Sequence, residues 1–218
     1  MELPILFEFQ KNVVNDHITP FLGWYLEDGN LCIVTENTHN TLIDYLQQLE
    51  SPDNHQEEFQ KIIRQISSGM CALELKKVEH RDLAARNIFL DKSKNVRIGN
   101  FGLSRPIGTR YNAGSPNPKW SAPEVLQDEN NSDTKSDVWS FGVTIWEIYT
   151  LGSEPYENIA NKDLFQILLS GSRLEIPMAM PNRIGNLMNS CWNLEPGNRP
   201  SFAEIYANCV DYAESTYI

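Results

Sequence analysis

The stretch His80-Arg81-Asp82-Leu83-Ala84-Ala85-Arg86-Asn87 puts a carboxylate, an amide and two guanidinium groups within one short segment. A phosphoryl transfer needs a carboxylate near the attacking hydroxyl and an amide oxygen positioned on a metal ion. Asp82 suits the first task and Asn87 the second. Taken alone, the same residues also allow a plainer reading, a salt-bridged arginine–aspartate pair in a loop.

The elements that must hold this segment can be read from the spacing of apolar residues. Phe59, Ile62, Ile63, Ile66, Met70 and Leu73 recur at helical intervals, so a long amphipathic helix precedes the segment. After it come Ile88-Phe89-Leu90, a polar turn from Asp91 to Asn95, and Val96-Arg97-Ile98, a short hairpin. A longer hairpin is expected upstream, where Phe21 to Leu26 and Leu31 to Thr35 flank Glu27-Asp28-Gly29-Asn30. From Asp137 to Tyr149 apolar residues fall on every side, which predicts a helix buried at the centre, with Trp146 in the core. Tyr45 and Trp192 are also expected in the core. A last helix is expected near Ser201, where Ser201 and Glu204 can form a capping box. A little sheet followed mostly by helix is α+β with segregated layers.

The 218 residues are enough for one domain with a substantial core, and a hydrophobic fraction of 41% fits a folded chain. The net charge of −11 argues against nucleic acid as a partner, because phosphate backbones need a basic surface. No apolar run reaches membrane-spanning length. The four cysteines are far apart with no CxxC pair, so a reducing, cytosolic setting is the expectation.

Further motifs follow in order: Ile33-Val34-Thr35-Glu36, Lys119-Trp120-Ser121-Ala122-Pro123-Glu124, Asp137-Val138-Trp139-Ser140-Phe141-Gly142, and Cys191-Trp192 through Arg199-Pro200-Ser201-Phe202. With the His80–Asn87 segment they make nearly the whole chain resemble the catalytic domain of receptor-type tyrosine kinases. The resemblance implies a protein kinase-like fold with a mainly helical C-lobe over 37–218. Residues 1–36 would be a residual, incomplete N-lobe: a partial first helix, two strands and the start of the hinge. It gives Asp82, Arg86 and Asn87 catalytic roles, with Arg86 near the acceptor tyrosine. Thr35 takes the gatekeeper position, the backbone of Glu36, Asn37 and Thr38 faces adenine, and Phe89 lies under the ring. Arg81 pairs with a phosphorylated activation segment, which carries Tyr111 as its single tyrosine. His80, Phe101 and Asp137 are structural, and Glu124 forms a buried ion pair with Arg199.

The chain departs from the family pattern in three places. A glycine-rich loop and a lysine-bearing strand, which the pattern places ahead of residue 1, are not among these 218 residues. The metal-binding Asp-Phe-Gly reads Asn100-Phe101-Gly102, which keeps the shape of aspartate but loses its charge. The first-helix glutamate falls on Glu8 or, without a gap, on Leu6. The resemblance therefore implies a tyrosine-kinase-like domain whose cofactors are ATP and Mg²⁺, bound weakly or not at all, with impaired transfer. The alternative is a pseudokinase scaffold that binds protein substrates or kinase partners without chemistry. Either would sit in the cytosol, at the cytosolic face of the membrane if the chain derives from a receptor.

Overall fold

A computed structural model describes residues 15–28, 30–36, 40–109 and 114–215. The first apolar runs pair as an antiparallel hairpin, β1 (Phe21–Glu27) with β2 (Asn30–Thr35). At its turn Asp28 takes a φ of 50°, a left-handed conformation that aspartate tolerates. Just upstream, the Thr19 N–H donates to the Ile98 carbonyl (2.8 Å) and the Ile98 N–H to that of His17 (2.8 Å), which docks the start of the hairpin beside the later strands.

Next come β3 (Asn40–Thr41) and α1 (Leu42–Leu46), whose start is closed by a Thr41–Asp44 capping box. The long amphipathic helix is α2 (Gln56–Leu75), and all six residues of its predicted stripe are buried. Then follow β4 (Val78–Glu79), β5 (Ile88–Leu90), β6 (Val96–Ile98) and β7 (Arg105–Pro106). The short hairpin β5–β6 is closed by Asp91, whose Oδ1 accepts from the N–H groups of Ser93 and Asn95, both at 2.8 Å.

The sequence pattern shows two hairpins, whereas the structure adds two pairings. β3 extends β5–β6 to three strands, and β4 pairs with β7. Strands of two residues are too short to carry an alternation, so nothing in the pattern marks them.

The rest is helical: α3 (Pro123–Gln127), α4 (Thr134–Tyr149), α5 (Asn161–Leu169), α6 (Asn182–Cys191) and α7 (Phe202–Ser215). The α7 start has the expected box: the Ser201 N–H donates to Glu204 Oε2 (2.7 Å) and the Glu204 N–H to Ser201 Oγ (3.2 Å). α7 packs on α2, and α6 packs on α4. α4 starts three residues before the predicted Asp137 because Asp133 caps it, accepting from the N–H groups of Lys135 (2.7 Å) and Ser136 (3.2 Å). Every residue of α4 is buried except Thr134, Lys135 and Trp146. Gly142 lets the neighbouring segment press onto the helix, since a Cβ there would lie 2.9 Å from Cys191 Cβ.

Trp146 corrects the expectation of a core residue. It is only partly buried, and its Nε1 donates to the Glu175 carbonyl (3.1 Å) at the protein's edge. The core tryptophans are Trp139 and Trp192, with exposures of 0% and 2%. Tyr45 is also only partly buried, its hydroxyl donating to Glu58 Oε2 (2.8 Å).

Candidate functional site

The segment 80–87 leaves β4, runs beside α4 from Asp137 to Glu147 and returns through a short 3₁₀ turn into β5. Asp137, in the first turn of α4, fixes its entrance. Its Oδ2 accepts the His80 N–H (2.7 Å) and its Oδ1 the Arg81 N–H (2.8 Å). These bonds hold Arg81 at a φ of 67°, a conformation unfavourable for a long side chain. Burial pushes the Asp137 carboxyl up to about 7, against the lowering effect of the two N–H donors.

His80 is fully buried and its tautomer is set by its neighbours. Nδ1 accepts the Asp82 N–H (3.2 Å), so the proton lies on Nε2, which donates to the Gly99 carbonyl (3.0 Å). Burial lowers its pKa to about 4, so the ring stays neutral and serves as a two-ended tie. Its face meets the Phe101 ring at 5.1 Å between centroids.

The Asp82 carboxylate is held from two sides. Oδ1 pairs with the Arg86 guanidinium, and Oδ2 accepts from Asn87 Nδ2 (2.7 Å), which also donates to the Asp82 carbonyl (2.6 Å). The plain ion pair that the residues alone allowed is therefore present. Asn87 Oδ1 accepts from Asn100 Nδ2 (2.8 Å). Beside Asp82 and Arg86 lies an open cavity of about 500 Å³, lined also by Leu103, Ser115, Asn117 and Asn161.

Glu147 was not singled out from the sequence. This α4 carboxylate is buried, and its Oε2 accepts both the Ala85 N–H (3.0 Å) and Trp120 Nε1 (2.9 Å). The Trp120 ring in turn carries the Arg86 guanidinium, 4.4 Å above its centroid. The signal available in the sequence was a single glutamate among the mostly apolar residues of the helix's C-terminal half, a charge that must find partners if it is buried.

Burial pushes the Glu147 carboxyl up to about 7. A carboxyl raised in the folded state stays protonated there while its unfolded counterpart ionises, so its stabilising effect is lost as pH rises through the folded value. Glu147→Gln, which can still accept both hydrogen bonds, should therefore gain stability relative to wild type between about pH 5 and 8. Thermal unfolding of both proteins across that range measures this. A constant difference would refute the assignment.

Arg81 lies with a second arginine in an acidic pocket. Its Nη1 donates to the Leu103 carbonyl (3.3 Å), and Glu79 and Glu129 stand 4.0 and 3.8 Å away. Arg105 approaches Glu79 to 3.4 Å and donates to the Glu129 carbonyl (3.1 Å). Burial raises the Glu79 pKa, opposed by the Ser132 hydroxyl and both arginines. Tyr111 lies outside the described residues, as do Glu8, Leu6, Asn37 and Thr38.

Thr35 ends β2 exposed, and Glu36 reaches Arg97 at 3.8 Å. Among the described residues no hydrogen bond or ion pair joins Thr35 or Glu36 to the Asp82 cluster. Phe89 is half-buried on β5, and a Cβ on Gly99 would come within 2.7 Å of its ring. Glu124 and Arg199 meet although 75 positions separate them, through Nη1–Oε1 (2.6 Å) and Nη2–Oε2 (2.8 Å).

The Asn87–Asn100 pair does not suit a Mg²⁺ ion. That cation is held by carboxylates and phosphate oxygens, and neither side chain is acidic. One of the two amide oxygens that would face it already accepts a hydrogen bond from the other residue.

The family profile described as protein tyrosine and serine/threonine kinase matches residues 6–209. The chain is 39% identical to the tyrosine-protein kinase transforming protein Abl of Abelson murine leukemia virus, over 90% of the chain and 27% of that protein. It is 35% identical to tyrosine-protein kinase csk-1 of Caenorhabditis elegans, over 91% of the chain and 37% of that protein. It is 34% identical to a fibroblast growth factor receptor of Strongylocentrotus purpuratus, over 88% of the chain and 22% of the receptor. The chain thus spans roughly a fifth to under two fifths of these relatives' lengths.

Proposed function

The chain belongs to the protein tyrosine and serine/threonine kinase family, and from that premise we propose that it is a tyrosine-kinase-like domain with weakened or absent phosphoryl transfer. In this reading Asp82 would take the proton of an acceptor tyrosine hydroxyl, and Arg86 would flank that side chain. Asn87 is the one retained metal-facing group. The open cavity beside Asp82 and Arg86 would receive the acceptor, and the end of β2 with Phe89 would receive adenine. ATP would supply the phosphoryl group, and Mg²⁺ would neutralise its charge in an active relative.

The observation that carries the reading is Asn100, where a neutral amide stands in place of a carboxylate and donates to Asn87. Transfer is mostly positioning and charge neutralisation of the triphosphate, and a base beside the hydroxyl does nothing for a phosphate that is not held. The same observation favours a second reading, a pseudokinase that docks protein substrates or other kinases without chemistry. The intact His80-Arg81-Asp82 speaks for residual transfer, because a scaffold has no chemical need of it.

A thermal-shift titration with ATP and Mg²⁺, beside a radiolabel transfer assay on a tyrosine polymer, tests the reading. The expected result is no metal-dependent shift and no incorporation above that of Asp82→Asn. A clear Mg²⁺-dependent shift with label incorporation, abolished by Asp82→Asn, would overturn it. Among the described residues no helix is long and apolar enough to cross a membrane.

A further inference from the structure

We infer that Asn100 does more than weaken a cation site: its amide N–H replaces the cation, closing the segment 80–87 into a hydrogen-bonded chain whose stability does not depend on divalent metal. The inference goes beyond the activity proposed above, and it is tested without nucleotide, so that either reading can fail while the other stands.

The argument starts from the orientation of Asn87. Its Nδ2 donates to both the Asp82 carbonyl (2.6 Å) and Asp82 Oδ2 (2.7 Å), two acceptors that no amide oxygen could face. Oδ1 must therefore point the other way, towards Asn100. Facing it favourably requires a hydrogen-bond donor or a cation. Asn100 presents the donor, Nδ2 at 2.8 Å, and this fixes the orientation of its own amide too. The order runs unbroken from the Arg86 guanidinium through the Asp82 carboxylate and the Asn87 amide to the Asn100 amide.

The backbone admits either asparagine or aspartate. Asn100 has φ 59° and ψ 57°, the left-handed region that both side chains tolerate. Asn100→Asp is thus nearly isosteric, and only the donor and the charge change. A carboxylate oxygen would then face Asn87 Oδ1 with no proton between them. Protonation of the introduced carboxylate, its rotation away, or a cation bridging the two oxygens would relieve the repulsion.

The full 218-residue chain, its Asn100→Asp variant and an Asn100→Ala variant are compared by thermal unfolding at pH 8, in EDTA and in excess Mg²⁺ or Mn²⁺, without nucleotide. Wild type should unfold at the same temperature with and without metal. Asn100→Asp should unfold lower than wild type in EDTA by roughly 2–10 °C, and added metal should recover much of that loss. Asn100→Ala should lose the donor without gaining a metal response. A wild-type midpoint that rises with metal, or an Asn100→Asp variant as stable as wild type in EDTA, would overturn the inference. If the aspartate variant does not fold, Mn²⁺ binding measured by electron paramagnetic resonance decides: wild type should bind no more Mn²⁺ than Asn100→Ala, and an excess in wild type would refute the inference.

Discussion

Arg199→Leu should lower the stability of the chain by about 3–5 kcal/mol, the usual loss when one partner of a buried ion pair is removed. Arg199 is 2% exposed, and its guanidinium serves four groups besides the aromatic ring beneath it. It forks onto both Glu124 oxygens (2.6 and 2.8 Å) and donates to the carbonyls of Lys135 (2.9 Å) and Asn193 (2.8 Å), with Leu194 further out at 3.4 Å. Leucine would leave the Glu124 carboxylate answered by the Ser136 hydroxyl (2.9 Å) alone and the carbonyls without their donor. Lysine should not rescue it, because a single ammonium cannot fork onto a carboxylate and reach both carbonyls. Pairing Glu124→Met with Arg199→Leu should recover part of the loss, since no charge is then left stranded. Urea unfolding of the four proteins checks this. A single variant within about 1 kcal/mol of wild type, the range of a surface pair, would show that this contact does not tie α3 to the turn before α7.

How much of this was legible in the sequence differs from residue to residue. Helix α2 was plain because its six apolar residues keep one phase, although Gln65, Ser67 and Gly69 beside the stripe are buried too. For α4 burial on every side left no exposed face to set a phase, since even its polar residues Asp137, Ser140, Thr144 and Glu147 are buried. Nothing in the run distinguishes Trp139 from Trp146: seven residues apart they share one face of the helix, and the neighbours at each level, such as Trp192 bonded to the Trp139 carbonyl, decide which is covered. The Glu124–Arg199 contact could be named only through the motif resemblance, since a separation of 75 positions carries no local signal. The charge lost at Asn100 was visible in its letter, but its role as a donor was not. That role depends on which way Asn87 turns, and Asp82 settles it across the fold of the loop. Glu147 went unread because its partners, Ala85 and Trp120, come from two other segments.

The remaining test concerns the tryptophan at the centre of α4. Trp139→Ala should cost about 3–5 kcal/mol, the range for emptying a large aromatic site in a packed core. Its side chain is wholly buried, and the guanidinium groups of Arg173 and Arg199 lie over its ring at 4.8 and 5.1 Å. The cavity would thus open beside the Glu124–Arg199 pair, and the backbone either side of it is held in place: the Trp139 carbonyl accepts from Trp192 Nε1 (3.3 Å) and α4 touches Cys191 at Gly142. With neighbours so fixed the space cannot easily collapse, which puts the cost at the upper end. Trp139→Phe should cost much less, about 1–2 kcal/mol, because the indole Nε1 has no hydrogen-bond partner among the described residues and nothing is lost with it. Trp146→Ala, at the partly buried site, should also stay near 1–2 kcal/mol, from partial packing and one hydrogen bond to the Glu175 carbonyl. Urea unfolding of the three variants should therefore place Trp139→Ala well apart from the other two. If Trp146→Ala proved the most damaging, the packed core would have been assigned to the wrong one of the two tryptophans.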